Sequence, residues 1–298
     1  MTVTAEVARV GVVVCTYRSR HQVTHALESC LAQGLAQEQI VVVDNASRDG
    51  TPELVRKHFP QVRLLVLERN LGFGAANNLA ARHLPGDYLL LVNPDARLGS
   101  RALPTMLEAL VASPKRGAIS PRVDRPDGRL DAACRRTFPT PMSAFWRLAG
   151  VSRLLPRSAR FGSYNLTHLP VDLATEIDSG TGACLLLRRW VWERVGGFDR
   201  RFYMYGEDLD LCWRIKELGL AVWYEPRARV LHLKGRSSEQ VPLRMLVAFH
   251  WSMWRFYRIH YGRGLRALWS PLVALGVLLR LGWFLLLNSL RRHPTVSP

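Results

Sequence analysis

Two short stretches carry carboxylates where carboxylates can do chemistry. The first is Asn93-Pro94-Asp95, directly after the apolar run Tyr88–Val92 in DYLLLVNPDAR. A carboxylate at the tip of a buried strand can serve a ligand site at the carboxyl end of a parallel sheet. The same residues also make an ordinary turn, since proline has no N–H to continue a ladder. The second stretch is FYMYGEDLDLCWR, residues 202–214. Glu207, Asp208 and Asp210 crowd a helix start, where the helix dipole favours negative charge. Three carboxylates behind an aromatic, glycine-containing loop exceed the needs of capping, and one of them can act as a general base toward a hydroxyl. His232, in VLHLKGRSS at 230–238, reads by itself as a structural histidine and gains weight only as part of a set.

These groups need elements to position them. Val10–Cys15, Ile40–Val43, Val62–Leu67 and Tyr88–Val92 are apolar or β-branched runs bounded by turn residues, the pattern of strands buried on both faces. Helical segments fall between and after them: Arg20–Gln33, a helix with Thr51 as N-cap and Pro52 in its first turn, Gly72–Leu84 and Arg101–Val111. Strands alternating with helices predict an α/β domain with a mostly parallel central sheet. Residues 113–170 read as long loops with short strands or helices. Regular structure resumes with a strand at Ala183–Leu187, a helix at Glu207–Leu218 closed by Gly219, and short strands at Ala221–Tyr224 and Arg229–Leu231.

Four successive strand ends deliver small polar groups. They are Thr16-Tyr17-Arg18, then Asp44-Asn45-Ala46-Ser47, then Asn70 with Gly72 and Gly74, then Asn93-Pro94-Asp95. In an open parallel sheet the ligand crevice lies outside the carboxyl ends of the strands, so a nucleotide-sized site is expected there. LGFGAAN has the glycines of a dinucleotide fingerprint, but it follows the third strand rather than the first, which argues against a nicotinamide or flavin fold.

The net charge of +17 on 298 residues points to an anionic partner. From Gln240 to Pro298 there is no acidic residue, and arginines alternate with Trp, Phe, Tyr and Leu. That mixture fits a membrane interface better than a nucleic-acid groove, so no nucleic acid is expected. Ala267–Leu287 carries one charge, Arg280, over a length that can span a bilayer. The favoured reading is helices lying on the membrane; a span and a helical homodimer or packing arm are the alternatives. Five scattered cysteines without metal spacing suit a reducing compartment, and MTVTAEVARV lacks the pattern of a signal peptide.

Seven pieces in order, VVVCTYRS, VVVDNASRDGT, NLGFGAANN, LLLVNPDA, DSGTGACLLLRR, GGFDRRFYMYGEDLDLCWR and VLHLKGRSS, resemble glycosyltransferase family 2. These are inverting nucleotide-sugar transferases of GT-A fold, and the likeness is to the bacterial rhamnosyltransferase-like branch that builds cell-envelope or exopolysaccharide glycans. The resemblance covers about residues 9–240. It implies a catalytic domain at 1–240 and a basic, aromatic helical extension at 241–298. It places Thr16 and Asp44 at the nucleotide base with Asn45 and Ser47 flanking, Tyr17 among the nucleotide-sugar-binding residues, and Asn70, Gly72 and Asn77 near the ribose and phosphates. Asn93 and Asp95 take the Asp-X-Asp position, where Asp95, completed by His232, would hold Mg2+ or Mn2+ on the diphosphate. Gly182 and Ala183 fall in the acceptor-side turn, and Asp208 of the Glu207-Asp208 pair is the implied catalytic base.

The implied partners are a nucleoside-diphosphate sugar and a glycan or polyprenyl-diphosphate-linked acceptor, met at the cytoplasmic face of the inner membrane. Asn93 stands where the pattern has Asp, which leaves the cation site one charge short. Arg116, Arg122, Arg125, Arg129, Arg135 and Arg136 form either an anion-binding acceptor surface or a solvated basic one. A nucleotidyltransferase would need a glycine-rich triphosphate loop after the first strand, where CTYRSR stands. A non-enzymatic basic binding protein leaves the polar strand ends without a role.

Overall fold

A computed structural model describes residues 3–233 and 242–289. Its strands are β1 (Val10–Thr16), β2 (Ile40–Asp44), β3 (Arg63–Val66), β4 (Tyr88–Val92), β5 (Ala96–Leu98), β6 (Arg116–Asp124), β7 (Thr175–Ile177), β8 (Cys184–Arg188) and β9 (Ala221–His232). Its helices are α1 (Val3–Val7), α2 (Val23–Leu31), α3 (Thr51–His58), α4 (Phe73–Ala81), α5 (Ala102–Val111), α6 (Pro141–Leu148), α7 (Val151–Leu154), α8 (Arg189–Val195), α9 (Glu207–Glu217), α10 (Pro242–His260) and α11 (Ser270–Ser289).

All nine strands join one sheet in the order β3-β2-β1-β4-β8-β6-β9-β5, with β7 also paired to β9. β3, β2, β1 and β4 run parallel. β8 reverses direction between β4 and β6, and β6 and β9 are again parallel. β5 and β7 add antiparallel at opposite ends of β9. Six strands therefore point one way, and the sheet is mostly parallel as expected. β1, β2 and β4 are buried at every position, which explains their unbroken apolar runs.

The structure corrects several details. Thr51 is not the N-cap of α3; Gly50 is, with φ 83°, and the Thr51 hydroxyl donates to Asp49 Oδ1 at 2.6 Å. β3 is a half-exposed edge strand, shorter than the apolar run suggests. The stretch 113–170 holds β6, nine residues in the middle of the sheet. Pro121 hid it, because proline argues against a central strand. The register of β6 on β9 shifts between Pro121 and Arg122, opposite Pro226, so neither proline breaks a regular ladder. That shift is also why the two short strands expected at 221–224 and 229–231 are one strand of 12 residues.

α10 docks on α9 through rings: Phe256 lies 5.9 Å from Trp213 and 6.2 Å from Phe138. His260 Nε2 meets Asp210 Oδ1 at 2.9 Å. α11 packs back on α10, where Arg280 contacts His250 Nε2 at 2.8 Å and lies over the Phe249 and Phe284 rings. Arg280, the one charge in the apolar run, is thus turned toward α10. Leu268, Leu272, Leu275, Leu278, Leu279 and Trp283 stay exposed. Among the described residues, 267–289 is the one helical stretch long and apolar enough to cross a membrane. The proposed boundary at 240, the Lys234–Ser238 end of the VLHLKGRSS motif, and Arg291 and Arg292 lie outside the described residues.

Candidate active site

The ends of β1 and β2 meet through side chains. Thr16 Oγ1 donates to Asp44 Oδ1 at 3.0 Å, and the Ser47 N–H donates to Asp44 Oδ2 at 2.8 Å. Thr16 and Asp44 are fully buried. Ser47 Oγ in turn accepts the Arg18 N–H at 2.7 Å. Tyr17 is half-buried, with the Arg18 guanidinium 5.4 Å from its ring.

Asn45 fastens the third strand end to the second. Its Oδ1 accepts the Leu71 N–H at 2.8 Å and its Nδ2 donates to the Gly72 carbonyl at 3.2 Å. Asn70 Oδ1 accepts from the Gly72 N–H at 2.9 Å and from the Tyr203 hydroxyl at 3.2 Å. Gly72 has φ 85°, and a Cβ there would fall 2.4 Å from the Tyr203 carbonyl oxygen. Only glycine lets the chain pass this close. Asn77 does not join the group: it is buried on α4 and donates to the Phe73 carbonyl one turn back.

Beyond β4, Asp95 Oδ1 lies 3.1 Å from His232 Nε2, a contact between residues 137 apart in the chain. His232 Nδ1 faces Asp131 Oδ2 at 3.5 Å. Burial works against a charged imidazole, but Asp131 and Asp95 outweigh it and push the His232 pKa up to about 9. Asn93 Oδ1 is buried without a hydrogen-bond partner among the described residues. A polar atom left so costs about 1–3 kcal/mol. The Asn93 amide oxygen, the Asp95 carboxylate and, once a cation displaces its proton, His232 Nε2 would make a donor set that fits a divalent cation. No group of three His, Cys, Asp or Glu side chains among the described residues closes around an ion, so substrate phosphate and water would complete the shell.

The second carboxylate centre is built at the start of α9. Asp208 Oδ2 accepts from Arg136 Nη2 at 2.6 Å and from the Gly182 N–H at 3.3 Å. Arg136 Nη2 also donates to the Gly180 carbonyl at 2.9 Å. Glu207 is buried beside Asp208, and burial first, then the Asp208 charge, push its pKa up to about 8. Near neutral pH Glu207 therefore holds a proton while Asp208 is the ion-paired member. Asp210 faces away, held by Arg214 at 2.6 Å and by His260.

The turn 180–183 joins the two centres. Gly182 reaches Asp208, and the Ala183 carbonyl accepts the Asn93 N–H at 2.8 Å. The structure thus brings Asn93, Asp95, Gly182, Ala183, Asp208 and His232 into one connected site. Sequence reasoning missed Asp131, which has no motif around it. It also missed the place of Arg136, which was one of six arginines with no spacing to distinguish it. The other five do not make a uniform basic surface. Arg135 is buried and donates to the carbonyls of Leu166, Leu169 and Pro170. Arg122 pairs with Asp124 and Asp172, Arg116 sits 3.8 Å over the Trp223 ring, Arg125 reaches Asp131 at 3.8 Å, and Arg129 is near Asp127.

Polar side chains thus gather at the carboxyl ends of the parallel strands, where ligands bind in open α/β sheets, with Asp95 on one side and the ion-paired Asp208 on the other. The chain belongs to glycosyl transferase family 2, whose model matches residues 11–170. It is similar to the N-acetylglucosaminyl-diphospho-decaprenol L-rhamnosyltransferase of Mycobacterium tuberculosis, 32% identical over 77% of this chain and 79% of that one. The rhamnosyltransferase WbbL of Escherichia coli is 28% identical over 63% of this chain and 69% of its own length. Among solved structures, a mannosyltransferase of Pyrobaculum calidifontis in complex with GDP-Man and Mn2+ superposes with a TM-score of 0.57 at 20% identity, covering 92% of this chain and 69% of that one. The fold is of GT-A type, and the protein is a glycosyltransferase of the rhamnosyltransferase-like branch.

Proposed function

We propose that this enzyme moves a sugar, rhamnose by likeness to its relatives, from a nucleoside-diphosphate sugar to a polyprenyl-diphosphate-linked acceptor with inversion at the anomeric carbon. Thr16, Tyr17, Asp44, Asn45 and Ser47 bind the nucleoside; Asn70 and Gly72 shape the ribose and phosphate wall, with Asn77 on α4 behind them. Asn93, Asp95 and His232 would hold Mg2+ or Mn2+, which supplies charge neutralisation to the leaving diphosphate when bound. Asp208 takes the proton of the acceptor hydroxyl as that oxygen bonds to the anomeric carbon, and the nucleoside diphosphate departs with the electron pair of the broken bond. Glu207, holding its own proton, shapes the helix start rather than competing for that role.

The observation that carries this reading is the turn 180–183, whose Gly182 N–H meets Asp208 while its Ala183 carbonyl holds Asn93. It sets the proposed base and the proposed diphosphate site on the two ends of one short backbone segment, where an acceptor would lie between them. Residues 1–240 form the catalytic domain in this reading. Residues 241–298 rest on the cytoplasmic face of the inner membrane, with the exposed leucines of α11 in the lipid and the arginines at the headgroups.

The test is a donor and acceptor screen. dTDP-rhamnose and several UDP- and GDP-sugars are offered with a synthetic polyprenyl-diphosphate N-acetylglucosamine and Mg2+ or Mn2+. Nucleoside diphosphate release matched by a glycosylated lipid product is expected with one donor. Absence of product with every donor would count against the reading.

A further inference from the structure

The sequence 207–208 offers two adjacent carboxylates, and nothing local says which of them carries the charge. Two buried carboxylates side by side do not both ionise readily, because each disfavours the charge of its neighbour. The tertiary structure breaks the tie. Arg136 arrives from a segment 72 residues earlier and places Nη2 on Asp208 Oδ2 at 2.6 Å. Both side chains are largely buried, at 12% and 14% exposure, so solvent screens the pair little. The nearby cations are otherwise committed. Arg214 and His260 serve Asp210, and Lys216 serves Glu176 and Asp178. Glu207 Oε2 is buried without a hydrogen-bond partner among the described residues.

Arg136 is also fixed in place. Its backbone exchanges hydrogen bonds with Ser179, donating at 3.1 Å and accepting at 3.0 Å. Its guanidinium touches the Gly180 carbonyl, on the same turn whose Gly182 N–H reaches Asp208. Guanidinium, turn and carboxylate form a closed ring of contacts. We propose that Arg136 is the positioning residue that assigns the negative charge of the Glu207-Asp208 pair to Asp208 and aims that carboxylate along the acceptor turn. Burial alone would lower the affinity of the guanidinium for its proton; the Asp208 charge, aided by Tyr164, more than reverses this and raises it, so Arg136 stays charged. Without Arg136, one proton would be shared between two crowded carboxylates, and the population with Asp208 ready to accept a proton would fall.

This inference rests on Asp208 being the base, and the experiment separates the two. Full-length Arg136→Gln, Arg136→Lys, Asp208→Asn and the double variant Arg136→Gln/Asp208→Asn are assayed with dTDP-rhamnose and a synthetic polyprenyl-diphosphate N-acetylglucosamine. Affinity for dTDP is measured by calorimetry and folding by thermal melting. Arg136→Gln is expected to lower kcat by roughly 10²-fold, the lower end of what a general base contributes. Its dTDP affinity should stay within about threefold of wild type, and Arg136→Lys, which keeps the charge without the planar fork, should recover part of the rate. In the Asp208→Asn background the Arg136→Gln change should cost nothing beyond about threefold, because a residue acting through Asp208 has nothing left to act on. Full additivity of the two changes in the residual rate, or wild-type kcat in Arg136→Gln, overturns the proposal while Asp208→Asn itself stays roughly 10²–10⁴-fold down. Asp208→Asn retaining transfer within about tenfold of wild type overturns the base assignment itself. If Arg136→Gln does not fold, Arg136→Lys alone and combined with Asp208→Asn carries the same comparison.

Discussion

The backbone N–H of Asn93 donates to the Ala183 carbonyl at 2.8 Å, which ties the end of β4 to the turn that holds Asp208. The bond crosses the antiparallel pair β4 and β8, so the proposed cation side and the proposed base side of the site move as one unit.

Asp208→Asn should reduce transfer to a small residual rate while leaving nucleotide binding in place. Amide for carboxylate keeps the shape and removes the proton acceptor, at a cost of roughly 10²–10⁴-fold in kcat. Calorimetric titration with nucleoside diphosphate checks it; a loss of affinity as large as the loss of rate contradicts the assignment.

Asp95→Ala should remove the strongest oxygen donor on the cation side. Transfer is expected to fall roughly 10²–10³-fold, the equivalent of several kcal/mol of transition-state charge stabilisation. The thermal shift that Mn2+ plus nucleoside diphosphate gives the wild type should vanish in the variant. An undiminished Mn2+ shift would place the cation elsewhere.

Glu207 makes stability pH-dependent in a direction opposite to an ordinary salt-bridged acid. Its carboxyl titrates near 4.5 in the unfolded chain and is pushed up to about 8 when buried. Between these values the folded state holds a proton that the unfolded state lacks, so stability falls as pH rises through this window. Below pH 4.5 both states are protonated and the penalty is absent. Glu207→Gln cannot ionise, so its melting temperature relative to wild type should rise steadily from pH 5 to pH 8. A flat difference across that range would mean that Glu207 is not buried as an acid.

The exposed apolar face of α11 should carry membrane attachment. Leu279→Ser with Trp283→Ser, at positions 66% and 58% exposed, should reduce co-sedimentation with phosphatidylglycerol vesicles and leave turnover of a short-chain acceptor unchanged. High salt should weaken the wild-type association, because the arginines contribute through screened charge. Protein that leaves membranes only in detergent and ignores salt would instead be spanning them.

Much of the frame was legible because its signals are local. An apolar run bounded by polar turns identifies a buried strand wherever it lies, and β1, β2 and β4 end within one residue of expectation. β6 escaped because its signal is not local. Pro121 in a central position is tolerated only through the register shift on β9, and that shift belongs to the pairing of two strands about a hundred residues apart.

The amino-acid sequence by itself determined the α/β frame, the polar strand ends, Asn93 and Asp95 after β4, and the Glu207-Asp208 start of α9. Each follows from residue types within a few positions of one another. Only the tertiary structure decided that His232 meets Asp95 and faces Asp131, that Arg136 rather than any of the other five arginines reaches Asp208, and that Glu207 Oε2 is buried without a hydrogen-bond partner among the described residues. The physical reason is that charge in a protein interior is set by what folding brings within a few ångströms, and these partners lie 72 to 137 residues apart in the chain.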